Sequence, residues 1–201
     1  MIPRQVVITI SILLVAALGM SLYAWHMRKA VVASVPAAVE DTRPLAPPVA
    51  GPTETVTLFV AHDEDGTLRA TSAKIPLPSG RQQRTEELLR ALLSIYLDKS
   101  SPHVLGPGSD VRSVFLVDPG VAVIDVNAAF ADTHRSGVLV EELTVASLIH
   151  TISSNTPGIQ RVKILVDGKE RDTLAGHAEL SDYYDVTAVN QLATELQQSS
   201  L

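Results

Sequence analysis

The stretch VRSVFLVDPGVAVIDV, residues 111–126, decides the fold. Val111 to Val117 and Val121 to Val126 are dominated by valine and other apolar residues, which suit a pleated, half-buried surface. Asp118, Pro119 and Gly120 separate the two runs, and two such runs around a short glycine-containing turn read as a β-hairpin. Upstream, Val56, Leu58 and Val60 alternate with Thr57 and Phe59, the period of a strand. The turn Asp63-Glu64-Asp65-Gly66 follows, then a second strand from Leu68 to Ile75, ended by Pro76 and Pro78. Between these pairs, Leu88, Leu89, Leu92, Leu93, Tyr96 and Leu97 recur on one helical face. Thr85 is the expected N-cap, with Glu86 and Glu87 in the first turn. Ser100 to Asp110 is loop, broken by Pro102, Gly106, Pro107 and Gly108.

Downstream, Asn127 and Phe130 close the hairpin. A second helix is expected from about Leu139 to Ser154, with Leu139, Leu143, Ala146, Ile149 and Ile152 along its buried stripe. Thr156-Pro157-Gly158 stops it. Val162 to Val166 is the last clear strand, and Val186 to Gln198 reads as a weak helix using Val189, Leu192, Ala193 and Leu196. The order β-β-α-β-β-α-β predicts an α+β domain: a small mixed β-sheet with two helices packed on one face. One transmembrane helix is expected to precede it. The expected divisions are an anchor at 1–29, a proline-rich linker at 30–54, the folded domain at 55–185 and a tail at 186–201.

The anchor rests on Val6 to Trp25, apolar except for Thr9, Ser11 and Ser21. About 20 such residues span a bilayer core. Tyr23 and Trp25 sit at its end, where aromatic rings favour the interface, and His26, Arg28 and Lys29 stop the run. Ala17-Leu18-Gly19 has the small residues of a signal-peptidase site. The apolar run continues past it, which favours an uncleaved anchor. Arg4 on one side and Arg28 with Lys29 on the other do not decide the orientation. A lone N-terminal anchor with a short head resembles an export signal, so the bulk of the chain is expected outside the cytoplasm. The linker holds Pro36, Pro44, Pro47, Pro48 and Pro52 and has no apolar periodicity. Extended, it could reach on the order of 70 Å from the bilayer.

Composition removes several functions. The 201 residues carry a net charge of −6 and no basic run, which argues against a nucleic-acid surface. The absence of cysteine removes disulfides, thiolate metal sites and cysteine nucleophiles. The acidic turn at Asp63 fails as a calcium loop. With Gly66 as the loop glycine, the first and last ligand positions fall on Ala61 and Ser72. Among His26, His62, His103, His134, His150 and His177, no two have the i, i+4 spacing of a helical zinc pair. His62 beside Asp63 and Asp65 is the most catalytic-looking group, yet neighbours in a strand point to opposite faces. His150 is expected to pack in the core. Gly106-Pro107-Gly108 lacks the lysine of a phosphate loop, and no Gly-x-Ser-x-Gly elbow exists. Asp125 is expected to accept backbone hydrogen bonds at a turn. No catalytic, cofactor-binding or metal-ligating residue is assigned.

Several segments, in order, resemble the GerMN domain of sporulation and germination proteins. These are residues 56–60 (VTLFV), 108–114 (GSDVRSV), 121–127 (VAVIDVN) with Phe130, 162–168 (VKILVDG) and 174–177 (LAGH). The resemblance runs from about Val56 to Leu180, with one domain copy where some relatives have two. It implies an extracytoplasmic domain tethered by a lipid or a transmembrane helix. It also implies kinship with ring-building folds that associate side by side, and no shared catalytic residues. The expected function is a membrane-anchored, non-catalytic assembly or interaction domain supporting an envelope or sporulation complex. The expected partners are the membrane, through residues 6–25, and a protein partner or a second copy, with no nucleic acid. The alternatives are a sensor or ligand-binding domain for an envelope component and, third, an extracytoplasmic hydrolase.

Overall fold

The computed structural model describes residues 51–198 apart from 79 and 118. The expected anchor and most of the expected linker lie outside the described residues. The elements in chain order are β1 (Thr53–His62), β2 (Thr67–Pro76), α1 (Arg81–Tyr96), β3 (Val111–Val117) and β4 (Val121–Val126). They continue with α2 (Ala128–Asp132), α3 (Val138–Asn155), β5 (Arg161–Val166), β6 (Tyr184–Asp185) and α4 (Val186–Gln198). Among the described residues no helix is long and apolar enough to cross a membrane.

The expected single sheet is two. β1 and β2 form an antiparallel pair of their own, while the other strands form a mixed sheet in the order β3-β4-β5-β6. In the second sheet β3 and β4 are antiparallel, β4 and β5 parallel, and β5 and β6 antiparallel. A parallel pair needs a crossover, and α2 with α3 supplies it. The first pair stays separate because helix side chains occupy the outer edge of β1. The Phe59 N–H donates to Thr151 Oγ1 at 3.0 Å, and the Asn155 side-chain amide donates to the Thr57 carbonyl at 2.6 Å. The Ala61 N–H donates to the Tyr96 hydroxyl at 2.9 Å. Backbone groups that a third strand would have paired are thus satisfied from α3 and α1. The outer edge of β3 meets α1 in a similar way: the Val114 N–H donates to Glu86 Oε1 at 3.2 Å. Arg84 ties the parts together, with its guanidinium on the Glu54 carboxylate of β1 and on the Asn155 carbonyl at the end of α3.

The core joins one face of each sheet to the helices. Val56, Leu58 and Val60 of β1, Leu88, Leu89, Leu92 and Leu93 of α1, and Ile124, Val162 and Ile164 belong to one buried cluster. α3 is central. Residues Leu143 to Ile149 are all buried, so the helix is covered on every side rather than along one stripe. Small polar residues, Thr144 and Ser147, let its neighbours approach, and Ser147 returns its hydroxyl to the Thr144 carbonyl at 2.9 Å.

Three local expectations change. α1 begins at Arg81 with Gly80 as its N-cap, and Thr85 lies inside the helix. Thr85 is buried, with its hydroxyl on the Arg81 carbonyl at 2.9 Å, so it cannot cap. Leu139, expected on the buried stripe, is 47% exposed. It lies in the first turn of α3, where a Cβ on Gly66 would stand 3.3 Å from it. The helix expected at 186–198 forms, and among the described residues one helix is unexpected, α2. α2 is too short to show a period, and Asn127 caps it by accepting the Phe130 N–H at 3.0 Å.

Candidate functional site

The titratable side chains that meet in the interior come from four segments. β1 ends at His62, and Asp63 opens the following turn. The Asp63 N–H donates to the Pro102 carbonyl at 3.1 Å, which brings the 97–110 loop over the hairpin end. That loop folds close to α2: a Cβ on Gly106 would lie 1.8 Å from Thr133 Oγ1. It delivers His103 into the core, edge-on to Tyr96 at 4.7 Å between ring centroids. The segment after α2 delivers His134, and α3 delivers Thr144.

Asp63 Oδ1 lies 2.7 Å from His103 Nδ1, and His103 Nε2 lies 2.8 Å from Thr144 Oγ1. The carboxylate only accepts, so the proton sits on Nδ1. An acid, an imidazole and a hydroxyl in this order have the connectivity of a hydrolase triad. The surroundings prevent that chemistry. His103 and Thr144 are each 0% exposed. His134 Nε2 also stands 2.8 Å from Thr144 Oγ1, and the Val140 carbonyl stands 2.9 Å from it, so the one hydroxyl proton is shared among these neighbours. The oxygen is surrounded by partners from its own chain, and no substrate carbonyl can come within bonding distance. Burial pushes the His103 and His134 imidazoles below their ordinary value. The Asp63 hydrogen bond opposes this at His103, and the Arg135 carbonyl opposes it at His134.

Above this network lies an open cleft of about 500 Å³, lined among others by His62, Asp63, Asp65, Arg69, Ser101 and Arg135. Four of its charged groups are paired within the chain: Arg135 with Asp63 at 2.7 Å, and Arg69 with Asp65. Asp65 is lowered first by the Thr67 hydroxyl, then by Arg69. The acidic turn is therefore a hydrogen-bonded hairpin end. Among the described residues no group of three His, Asp or Glu side chains is placed to hold a metal ion.

A buried carboxylate organises the start of α3. Glu141 is 0% exposed and accepts five N–H groups. Its Oε1 takes the Gly137 N–H at 3.0 Å and faces His177 Nδ1 at 2.8 Å. Its Oε2 takes the backbone N–H groups of Ala175, His177 and Ala178 at 3.0, 2.9 and 2.9 Å. Burial alone would raise its pKa. The donors, Gly137 first and then His177, Ala175 and Ala178, outweigh burial and bring it to about 2. The carboxylate thus caps its own helix and pins the 171–180 segment.

The residues singled out from sequence are distributed as follows. His62 lines the cleft, but the imidazole that meets Asp63 is His103, 40 positions away. His150 is half-buried at the edge of α3 rather than in the core, tilted against the Phe59 ring at 4.0 Å between centroids, with Nδ1 2.7 Å from Asn190 Oδ1. Asp125 accepts the Gly168 N–H at 2.7 Å, as expected for a carboxylate at a turn. His26 lies outside the described residues.

The surface offers a different feature. One face of the four-stranded sheet is core; the other carries Phe115 and Val117 of β3 opposite Val123 and Val121 of β4. On the β5 side this face is covered. Lys163 is buried, reaches the Ser181 carbonyl and lies 5.7 Å from the Tyr183 ring. On the β3 side it is open, with Phe115 48% and Val117 51% exposed.

A family model described as Germane, sporulation and spore germination, matches residues 57–172. That is more than half of the chain, and the chain belongs to this family. Among solved structures it is similar to the tandem GerMN domains of the sporulation protein GerM from Bacillus subtilis, at 22% identity and TM-score 0.50. That match covers 67% of this chain and 46% of the other, so this chain spans about half of the tandem protein. The first GerMN domain of the same protein is similar at 19% identity and TM-score 0.47, covering 66% of this chain and 97% of that one. A crystal structure of a protein from Clostridium perfringens is similar at 19% identity and TM-score 0.42, covering 71% of this chain and 93% of that one. No curated protein sequence matches significantly. The tandem structure supports the GerMN fold expected from the sequence.

Proposed function

We propose that this protein is a non-catalytic assembly domain of the cell envelope, carried outside the cytoplasm on its N-terminal anchor and serving a sporulation or germination complex. One observation carries the non-catalytic part. The acid–imidazole–hydroxyl set of Asp63, His103 and Thr144 is closed off, with the hydroxyl at 0% exposure. Its physical role is to satisfy buried polar groups and join β1, the 97–110 loop, α2 and α3. The half-exposed Phe115 and Val117 support the assembly part. An apolar strand face left open to solvent marks a contact surface, and aromatic side chains at the centre of such a face carry much of the binding energy.

The test is Phe115→Glu in the full-length chain, with association in membranes read by chemical crosslinking. The side chain is half-exposed, so the variant is expected to melt within a few degrees of wild type. Its crosslinked species should fall by about tenfold or more, the loss of an interface anchor. A wild-type chain that forms no crosslinked species, or a variant that crosslinks as well as wild type, refutes this reading.

A further inference from the structure

An apolar groove of about 380 Å³ runs between α3, α4 and the 177–184 segment, away from the open sheet face. Val145 and Ala146 of α3 and Val189 of α4 line it, and Leu192, 41% exposed, stands at its side. Two carboxylates, Glu142 and Glu179, also line it. Both residues are exposed, and among the described residues neither has a basic partner. Among the described residues the Glu179 carboxylate accepts the Ser181 hydroxyl at 2.6 Å, while its backbone carbonyl accepts the Tyr184 hydroxyl. Both carboxylates act on one phenol in the groove: burial, then Glu179 and Glu142, push Tyr184 up to about 12. The one imidazole in the lining, His177, faces the buried Glu141 through Nδ1.

We propose that this groove receives a protein segment that presents an aliphatic side chain flanked by lysine or arginine. The inference rests on the reading of the domain as an interaction module, and it names a second contact surface and its partner. The apolar floor takes the aliphatic group, and Glu142 with Glu179 take the flanking cations. The charge pattern selects against the other occupants. A second copy brings the same carboxylates and a net charge of −6, and anionic lipid headgroups meet like charge. Two ion pairs at a partly exposed rim together change affinity by about tenfold.

The experiment uses the full chain in zwitterionic nanodiscs, with empty discs as the control. Two fluorescent amphipathic helical peptides serve as probes, one built of leucine and lysine and the other of leucine and glutamate. The leucine–lysine peptide is expected to bind the loaded discs about tenfold tighter than the leucine–glutamate peptide, after subtraction of the empty-disc signal. The double variant Glu142→Lys, Glu179→Lys should reverse that order. Leu192→Asp should weaken both peptides, with α4 intact by circular dichroism. Equal binding of the two peptides, or an order unchanged by charge reversal, overturns the proposal. A self-associated species that Leu192→Asp splits and charge reversal leaves intact also overturns it, by giving the groove to a second copy. Crosslinking through Phe115 is read separately, so failure at the groove leaves the assembly reading standing.

Discussion

Replacing Glu141 by glutamine keeps the shape of the side chain and removes its charge. The wild-type carboxylate receives five N–H groups in a buried site. Glutamine offers one accepting oxygen and one donating amide. Its least costly orientation keeps the oxygen on Ala175, His177 and Ala178 and turns the amide toward Gly137 and the His177 ring. The ring can then accept, but the Gly137 N–H loses its partner. An orphaned buried N–H costs about 1–3 kcal/mol, and the bonds that remain weaken when their acceptor becomes neutral. Linkage gives an independent figure. A carboxyl pulled from 4.5 to about 2 on folding stabilises the protein by about 3 kcal/mol at neutral pH. The sign follows from the depressed value. This stability is complete above pH 4.5 and is lost as pH falls through that value toward 2.

Urea unfolding of wild type and Glu141→Gln at a series of pH values measures the difference directly. The gap should be about 3 kcal/mol at pH 7, or about 10 °C in melting temperature. It should close as pH approaches 2, where the wild-type carboxyl also becomes neutral. A gap under 1 kcal/mol at pH 7, or one that stays constant between pH 7 and pH 3, refutes the argument that the ionised carboxylate holds the 171–180 segment.

Two further substitutions probe the core and the decisive hairpin. Thr144→Val removes the hydroxyl between His103 and His134 and should destabilise the chain by about 3 kcal/mol in urea unfolding, since two buried imidazole nitrogens lose their partner. The folded protein should crosslink in membranes as wild type does, whereas loss of association at unchanged stability would implicate the hydroxyl in function. Gly120→Ala places a Cβ at φ +70°, 2.8 Å from the Gly158 carbonyl. It should cost about 2 kcal/mol or more, seen as a thermal melt lower by about 6 °C, and an unchanged melt would show that the turn has relaxed.

Local structure was readable because each of these elements is specified by its own residues. Alternation at Val56, Leu58 and Val60 marks β1, and apolar residues at three- and four-residue steps from Leu88 to Tyr96 mark α1. What escaped depends on distance along the chain. β1 and β2 stand apart from the larger sheet because Tyr96, Thr151 and Asn155 reach the β1 edge from 35 to 98 positions away. No periodicity encodes that contact. Asp63 drew attention beside His62, but its partner His103 arrives in a loop with no spacing rule. Glu141 in the first turn of α3 had the ordinary appearance of a dipole-favoured acid. Its role depends on N–H groups of residues 175–178, which only the folded chain brings near. Phe115 and Val117 read only as strand residues, since nothing in their pattern says that one face of the β3–β4 hairpin stays uncovered.

The central claim is that this domain works by contact through an open surface and not through the buried hydroxyl. The most direct measurement places a photo-crosslinking amino acid at position 115 of the chain expressed in cells, with a control at the exposed Lys74. Adducts are identified by mass spectrometry. The account predicts a reproducible adduct from position 115, to one envelope protein or to a second copy, and much less from position 74. Adducts of equal yield from both positions, or none from 115, would contradict it.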